Sequence, residues 1–116
     1  MDITESILTS IKKLLGIDDA YPHFDADLII HINSVFATLS QLGVGPVGGF
    51  AIQGEDETWS DYIGDNINLF AGVKSYMYLK VRLLFDPPIS SAVMEAIKEQ
   101  IREYEFRLFV EADPIV

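Results

Sequence analysis

The stretch VKSYMYLKVRLLFDPPISSAVMEAIKEQIREYEFR, Val73 to Arg107, decides the fold, because two long helical patterns meet in it at Asp86-Pro87-Pro88. At about 100° per residue, Leu69, Phe70, Val73, Tyr76, Met77, Val81 and Leu84 cover one broad side of the first pattern, and Ile67, Tyr78 and Phe85 fall nearly opposite. Asn68, Ser75 and Arg82 leave only a narrow polar strip. A helix that is apolar almost all round is buried on several sides, so this one is predicted to be the central helix. Asp65 or Asn66 can cap its start. Its end is forced at Asp86, since the residue before a proline avoids the α conformation and Pro88 donates no backbone hydrogen bond. The second pattern starts at Ser90 or Ser91 and runs to about Val110, with Val93, Ile97, Ile101, Tyr104 and Leu108 in one narrow arc. Phe106 and Phe109 lie off that arc, near Arg102. There are more apolar faces than one small core can use, which points to packing against other chains.

Two shorter helices precede these. Asp2 and Glu5 have the spacing of a capping box, Ile3, Ile7, Ile11 and Leu14 share a face, and Gly16 is a natural stop. Asp25 is the predicted cap of the next, whose stripe is Leu28, Ile32, Val35, Phe36, Leu39 and Leu42, ended by Gly43. No segment shows sustained alternation, although Phe50 to Gln53 has the makings of a brief pairing. The predicted fold is therefore all-α, a small bundle of about four helices near residues 2–15, 25–42, 65–86 and 90–110. It forms one domain over 1–116, in which the long loop 43–64 and the C-terminal tail 109–116 serve as contact segments.

Composition narrows the function. The chain has 116 residues, no cysteine and a formal net charge of -10. Without cysteine there is neither a disulfide framework nor a thiolate metal site. No apolar run reaches membrane-spanning length, and the N-terminus lacks the basic region of a secretory signal, so a soluble, unexported protein without a membrane partner is expected. Eight dispersed basic residues against eighteen acidic ones argue against a conventional grip on nucleic acid. The acidic residues gather at Asp18 and Asp19, from Glu55 to Asp65, and along Glu95, Glu99, Glu103 and Glu105, which reads first as a solvated surface.

The chemistry-bearing patterns are few. The loop GVGPVGGFAIQGEDETWSDYIGD, Gly43 to Asp65, holds five glycines before Gly64 and the only tryptophan. No Gly-Lys-Ser/Thr follows the glycines, so a phosphate cradle fails, and the central glycine and terminal glutamate of a calcium loop are missing. Two readings remain for its apolar residues. Phe50, Ile52, Trp59 and Tyr62 are anchors for a neighbouring subunit on a flexible arm, or Trp59, Tyr62 and Ile63 form a short helical turn that caps the core. Likewise Phe106 and Phe109 either tuck back from a frayed helix end or, with Arg102 and Val110, form an exposed anchor, the residue types over-represented at interfaces. His23, Asp25, Asp27 and His31 lie close together, but the ligand set is incomplete for a metal. No nucleophile motif is present. No catalytic residue, cofactor or metal is assigned, and the protein is not read as an enzyme.

LLGIDD (Leu14–Asp19), HFDADLIIHINSVFATLSQLGVGP (His23–Pro46), WSDYIG (Trp59–Gly64) and the run from Val73 to Leu108 together resemble the head-tail connector proteins of tailed bacteriophages and prophages. The resemblance implies an all-helical virion subunit, assembled in the bacterial host cytoplasm. It implies a homo-oligomeric ring that sits beneath the portal protein, extends the DNA channel without binding DNA specifically, and receives a downstream head-tail or tail-completion protein. On that reading the loop residues Phe50, Ile52, Trp59 and Tyr62 meet the neighbouring subunit. Arg102, Phe106, Phe109 and Val110, within a segment reaching Val116, meet the portal. Truncation after Arg107 is then expected to spare folding while removing portal attachment. The alternative is a small acidic helical adaptor or regulator in the host cytoplasm, acting by protein contact alone.

Overall fold

A computed structural model describes residues 3–112. Its helices are α1 (Ile7–Leu14), α2 (Asp25–Gln41), α3 (Trp59–Ile63), α4 (Ile67–Phe85) and α5 (Ser91–Ala112). The all-α bundle stands as predicted, with α3 as a short addition inside the long loop. The central position of α4 also holds: it packs against each of the other four helices, and α5 rests chiefly on it. One core cluster takes side chains from all five helices and from Val44 and Ile52 in the loop.

The punctuation of α4 and α5 is as the sequence predicts. Asn66 caps α4, its side chain accepting from the Leu69 amide at 3.1 Å. Asp86 leaves the helix with φ -144° and ψ 68°, as a residue before proline must. The Ser90 hydroxyl accepts from the Val93 amide at 3.3 Å to open α5.

The N-terminal half departs from expectation. α1 begins at Ile7, capped by Ser6, whose side chain accepts from the Thr9 amide. Asp2 lies outside the described residues, and Glu5 is engaged elsewhere. Residues 3–7 run alongside the loop instead: Ser60 donates to the Ile3 carbonyl, Trp59 to that of Glu5, and Ile7 to that of Glu57. Asp25 does not cap α2 either. Phe24 occupies the cap position without a side-chain bond, and the Asp25 carboxylate sits 2.8 Å from the buried Lys12 ammonium. Lys12 also donates to the carbonyls of Asp19 and Tyr21, so one buried cation ties the α1–α2 connection together. A buried ammonium must find such partners, and they outcompete the local capping bond.

Periodicity over-assigned the core at three places. Leu14, Leu84 and Val93, each placed on a buried stripe, are exposed. All three lie near helix ends.

Phe50 to Gln53 forms no strand pairing. The Ile52 amide donates to Asn33 Oδ1 at 2.8 Å and its carbonyl accepts from Asn33 Nδ2 at 2.9 Å, so an α2 side chain substitutes for a strand. Among the described residues the only β-type contact is an isolated bridge, Ser6 with Thr58.

Candidate functional site: outward-facing assembly surfaces

The long loop folds back on the helices, which corrects the expectation that it is a flexible arm with exposed anchors. Trp59 is fully buried, its indole N–H donating to the Ser10 hydroxyl at 3.0 Å and its ring tilted against Phe70. Thr58 and Asp61 cap α3 reciprocally. Ile52 and Tyr62 are also buried, and Phe50 is half-buried in a three-ring cluster with Phe36 and Tyr62, centroids 4.7 to 5.2 Å apart. The Tyr62 hydroxyl donates to the Val44 carbonyl, and burial pushes that phenol's pKa well above its ordinary value. The core-capping reading describes the placement of Trp59 and Tyr62, and Phe50 and Ile52 pack on the same core beside them. The reason is hydrophobic: four large apolar groups stabilise the fold more by burial than an extended arm could.

With its base held, the loop displays its tip. Pro46 to Gly49 makes a turn closed by Gly49 N–H to the Pro46 carbonyl at 2.9 Å. Val47 at its head is 106 % exposed. Gly45 beneath it has φ +95°, and an added Cβ would come within 2.5 Å of the Tyr62 ring, so only glycine lets the chain pass the aromatic cluster here. Sequence reasoning missed Val47 as a surface residue; the lone valine between proline and glycine pairs was its signal.

The C-terminal assignment falls on a regular helix. α5 continues unfrayed to Ala112, with Leu108 buried 3.5 Å from where a Gly72 Cβ would stand. Phe106 is 68 % exposed and Phe109 47 %, and Val110 is exposed beside them. Arg102 lies one turn before Phe106 on the same outward side, paired with Glu99 at 2.7 Å. The structure thus brings Arg102, Phe106, Phe109 and Val110 onto one face, and the reading in which the phenylalanines tuck back does not hold. Residues 113–116 of the proposed contact tail lie outside the described residues.

Polar contacts fix α5 to α4. The buried Tyr76 hydroxyl donates to Glu105 at 2.7 Å, and Lys80 lies 3.8 Å from the same carboxylate. Burial raises the Tyr76 pKa first, and the carboxylate beside it raises it further. The remaining bases are spent similarly: Lys13 on Glu5, Lys98 on Glu95, Arg107 on Glu103. Lys74 lies over the Phe70 ring, and Arg82 reaches the Tyr78 hydroxyl. No basic stripe of the kind that tracks phosphates is assembled among the described residues.

Glu5 gives the fold a pH dependence. Hydrogen bonds from Lys13 and then Ser10 lower its pKa below the ordinary glutamate value. A depressed carboxylate pKa contributes stability that is present above the unfolded-state value and lost as pH falls through the folded one. The melting temperature should therefore decline on acidification through the glutamate range, and Glu5→Gln should flatten that decline. An unchanged acid limb in the variant would exclude Glu5 as a contributor.

Among the described residues no group of three His, Cys, Asp or Glu side chains is placed to hold a metal ion, and no helix is long and apolar enough to cross a membrane. His23 stacks with Tyr21 and Phe24 instead. The fold and its surface define an all-helical subunit that sets exposed apolar side chains among carboxylates. The model of the phage connector protein family matches residues 7–114, and the chain belongs to that family. It is a structural connector of the phage virion, of the head-tail type that the sequence resembles. No curated protein and no solved structure matches the chain.

Proposed function

We propose that this connector assembles as a ring beneath the portal of the DNA-filled head, extends the DNA channel, and offers its far side to the next tail-completion protein. The observation that carries the reading is the exposed pair Phe106 and Phe109 on an intact helix whose other face already completes the core. Paired aromatics flanked by an arginine are the side chains that concentrate binding energy at interfaces. We assign Arg102, Phe106, Phe109 and Val110 to the portal, on family membership and that exposure. The outward carboxylates Glu95, Glu99 and Glu103 suit a wall past which DNA slides without sticking. Ring assembly takes place in the host cytoplasm before the tail is joined.

The test is a double variant, Phe106→Ser with Phe109→Ser. Both side chains are exposed, so its circular dichroism and melting should stay near wild type. Its co-sedimentation with portal-bearing, DNA-filled heads should fall by about tenfold or more, the loss of one or two interface hot spots. Normal attachment of the folded variant would overturn the assignment.

A further inference from the structure

A second apolar feature has no occupant within the subunit. Leu14 at the end of α1, Ala71, Lys74, Ser75 and Tyr78 along α4, and Tyr104 on α5 line a groove of about 430 Å³, floored by Leu79. Its only charged lining residue is Lys74. We propose that this groove receives the loop tip Pro46-Val47-Gly48 of a second copy of this chain, so that subunits join tip to groove around the ring. The inference rests on the ring reading above and names the contact that would build it.

Three observations select that occupant. The first is charge. In a chain of net charge -10, the eleven residues from Gly43 to Gln53 carry no charge at all. The groove carries one positive charge and no carboxylate. Copies that repel one another elsewhere meet most cheaply where both surfaces lack acids. Lys74 adds a donor for the carbonyl groups of the glycine-rich tip.

The second is preorganisation. The Phe36–Phe50–Tyr62 cluster and the two Asn33 bonds to Ile52 hold the base of the loop, and the Pro46–Gly49 turn holds its head. Val47 is therefore presented at little further ordering cost, which is the condition for a small apolar knob to bind usefully. It touches nothing of its own subunit that hides it from solvent.

The third is position. The tip stands on the α2 side of the subunit, where Gly48 and Gly49 line a cleft with Ala37 and Ser40, whereas the groove is built from α1, α4 and α5. The two surfaces share no residue and no helix. Two separate patches let the contact propagate head to tail, and such a contact closes a ring where the rotation between neighbours permits.

The chain has no native cysteine, so Val47→Cys and Ala71→Cys in the full-length protein report the contact directly. Both positions are exposed. The two single variants are mixed, free at high concentration and on portal-bearing heads, and treated with a short bismaleimide. The expected result is a hetero-dimer of one copy of each that outweighs both homo-dimers. The double variant should give a ladder of higher oligomers, and adding Tyr78→Asp to the groove partner should abolish the hetero band. Homo-dimers in excess, or no cross-link on heads to which the variants demonstrably attach, would overturn the tip-to-groove contact while leaving the connector role standing. A cross-linked ladder from protein that fails to join heads would support the contact and count against the portal reading instead.

Discussion

Replacing Trp59 by alanine is expected to destabilise the subunit by about 3–5 kcal/mol, the usual cost of emptying a buried aromatic site. The indole is fully enclosed between α1 and α4, and its loss opens a cavity against Phe70. It also removes the only indole donor in the chain from the buried Ser10 hydroxyl. Ser10 in turn donates to Glu5 at 2.5 Å, and Glu5 holds Lys13, so the cavity lies at the head of a polar chain. The measurement is thermal unfolding followed by circular dichroism, where a loss of that size lowers Tm by roughly 10 °C or more. A variant that melted near wild type but failed to assemble would return Trp59 to the role of a neighbour's anchor.

Truncation after Arg107 should have an effect of similar size, and on folding rather than on attachment alone. The sequence reading treats the residues after Arg107 as a removable part of the contact segment. In the fold, Leu108 is 2 % exposed and seated over Gly72, and Ala112 approaches Gly43 at the end of α2. Removing a leucine from such a site costs about 2–5 kcal/mol, and the last helical turn is lost with it. Denaturant midpoints of the truncated and full-length chains compare the two directly. A truncated chain with an unchanged midpoint would show that the α5 terminus contributes nothing to the core. For this reason the paired serine substitutions at Phe106 and Phe109 are the cleaner probe of portal contact, because they leave Leu108 in place.

The helices were legible where the signal is local. The 3.6-residue spacing of apolar side chains, Asn66 as a cap, the obligatory stop at Asp86 before Pro87, and the glycine at Gly43 each act within one helical turn, so sequence alone determined the all-α class and the central role of α4. The order of these motifs along the chain carried the connector resemblance, and the family match over residues 7–114 agrees with it. Tertiary structure decided everything that depends on partners distant in sequence. Whether Trp59 points out or in depends on Ser10 and Phe70, 49 residues before it in the first case. Asp25 had two possible duties, and the buried Lys12 ammonium determined which was used, because an unpaired buried cation costs more than an uncapped helix start. Periodicity marks which face of α5 is apolar, but it cannot say where the covering helix stops, and so Val93 is exposed while Leu108 is buried. The apolar tip at Val47 and the groove beside Lys74 likewise became visible only in the fold, because which apolar side chains stay outside depends on how the loop aromatics Phe50, Trp59 and Tyr62 pack against the helices.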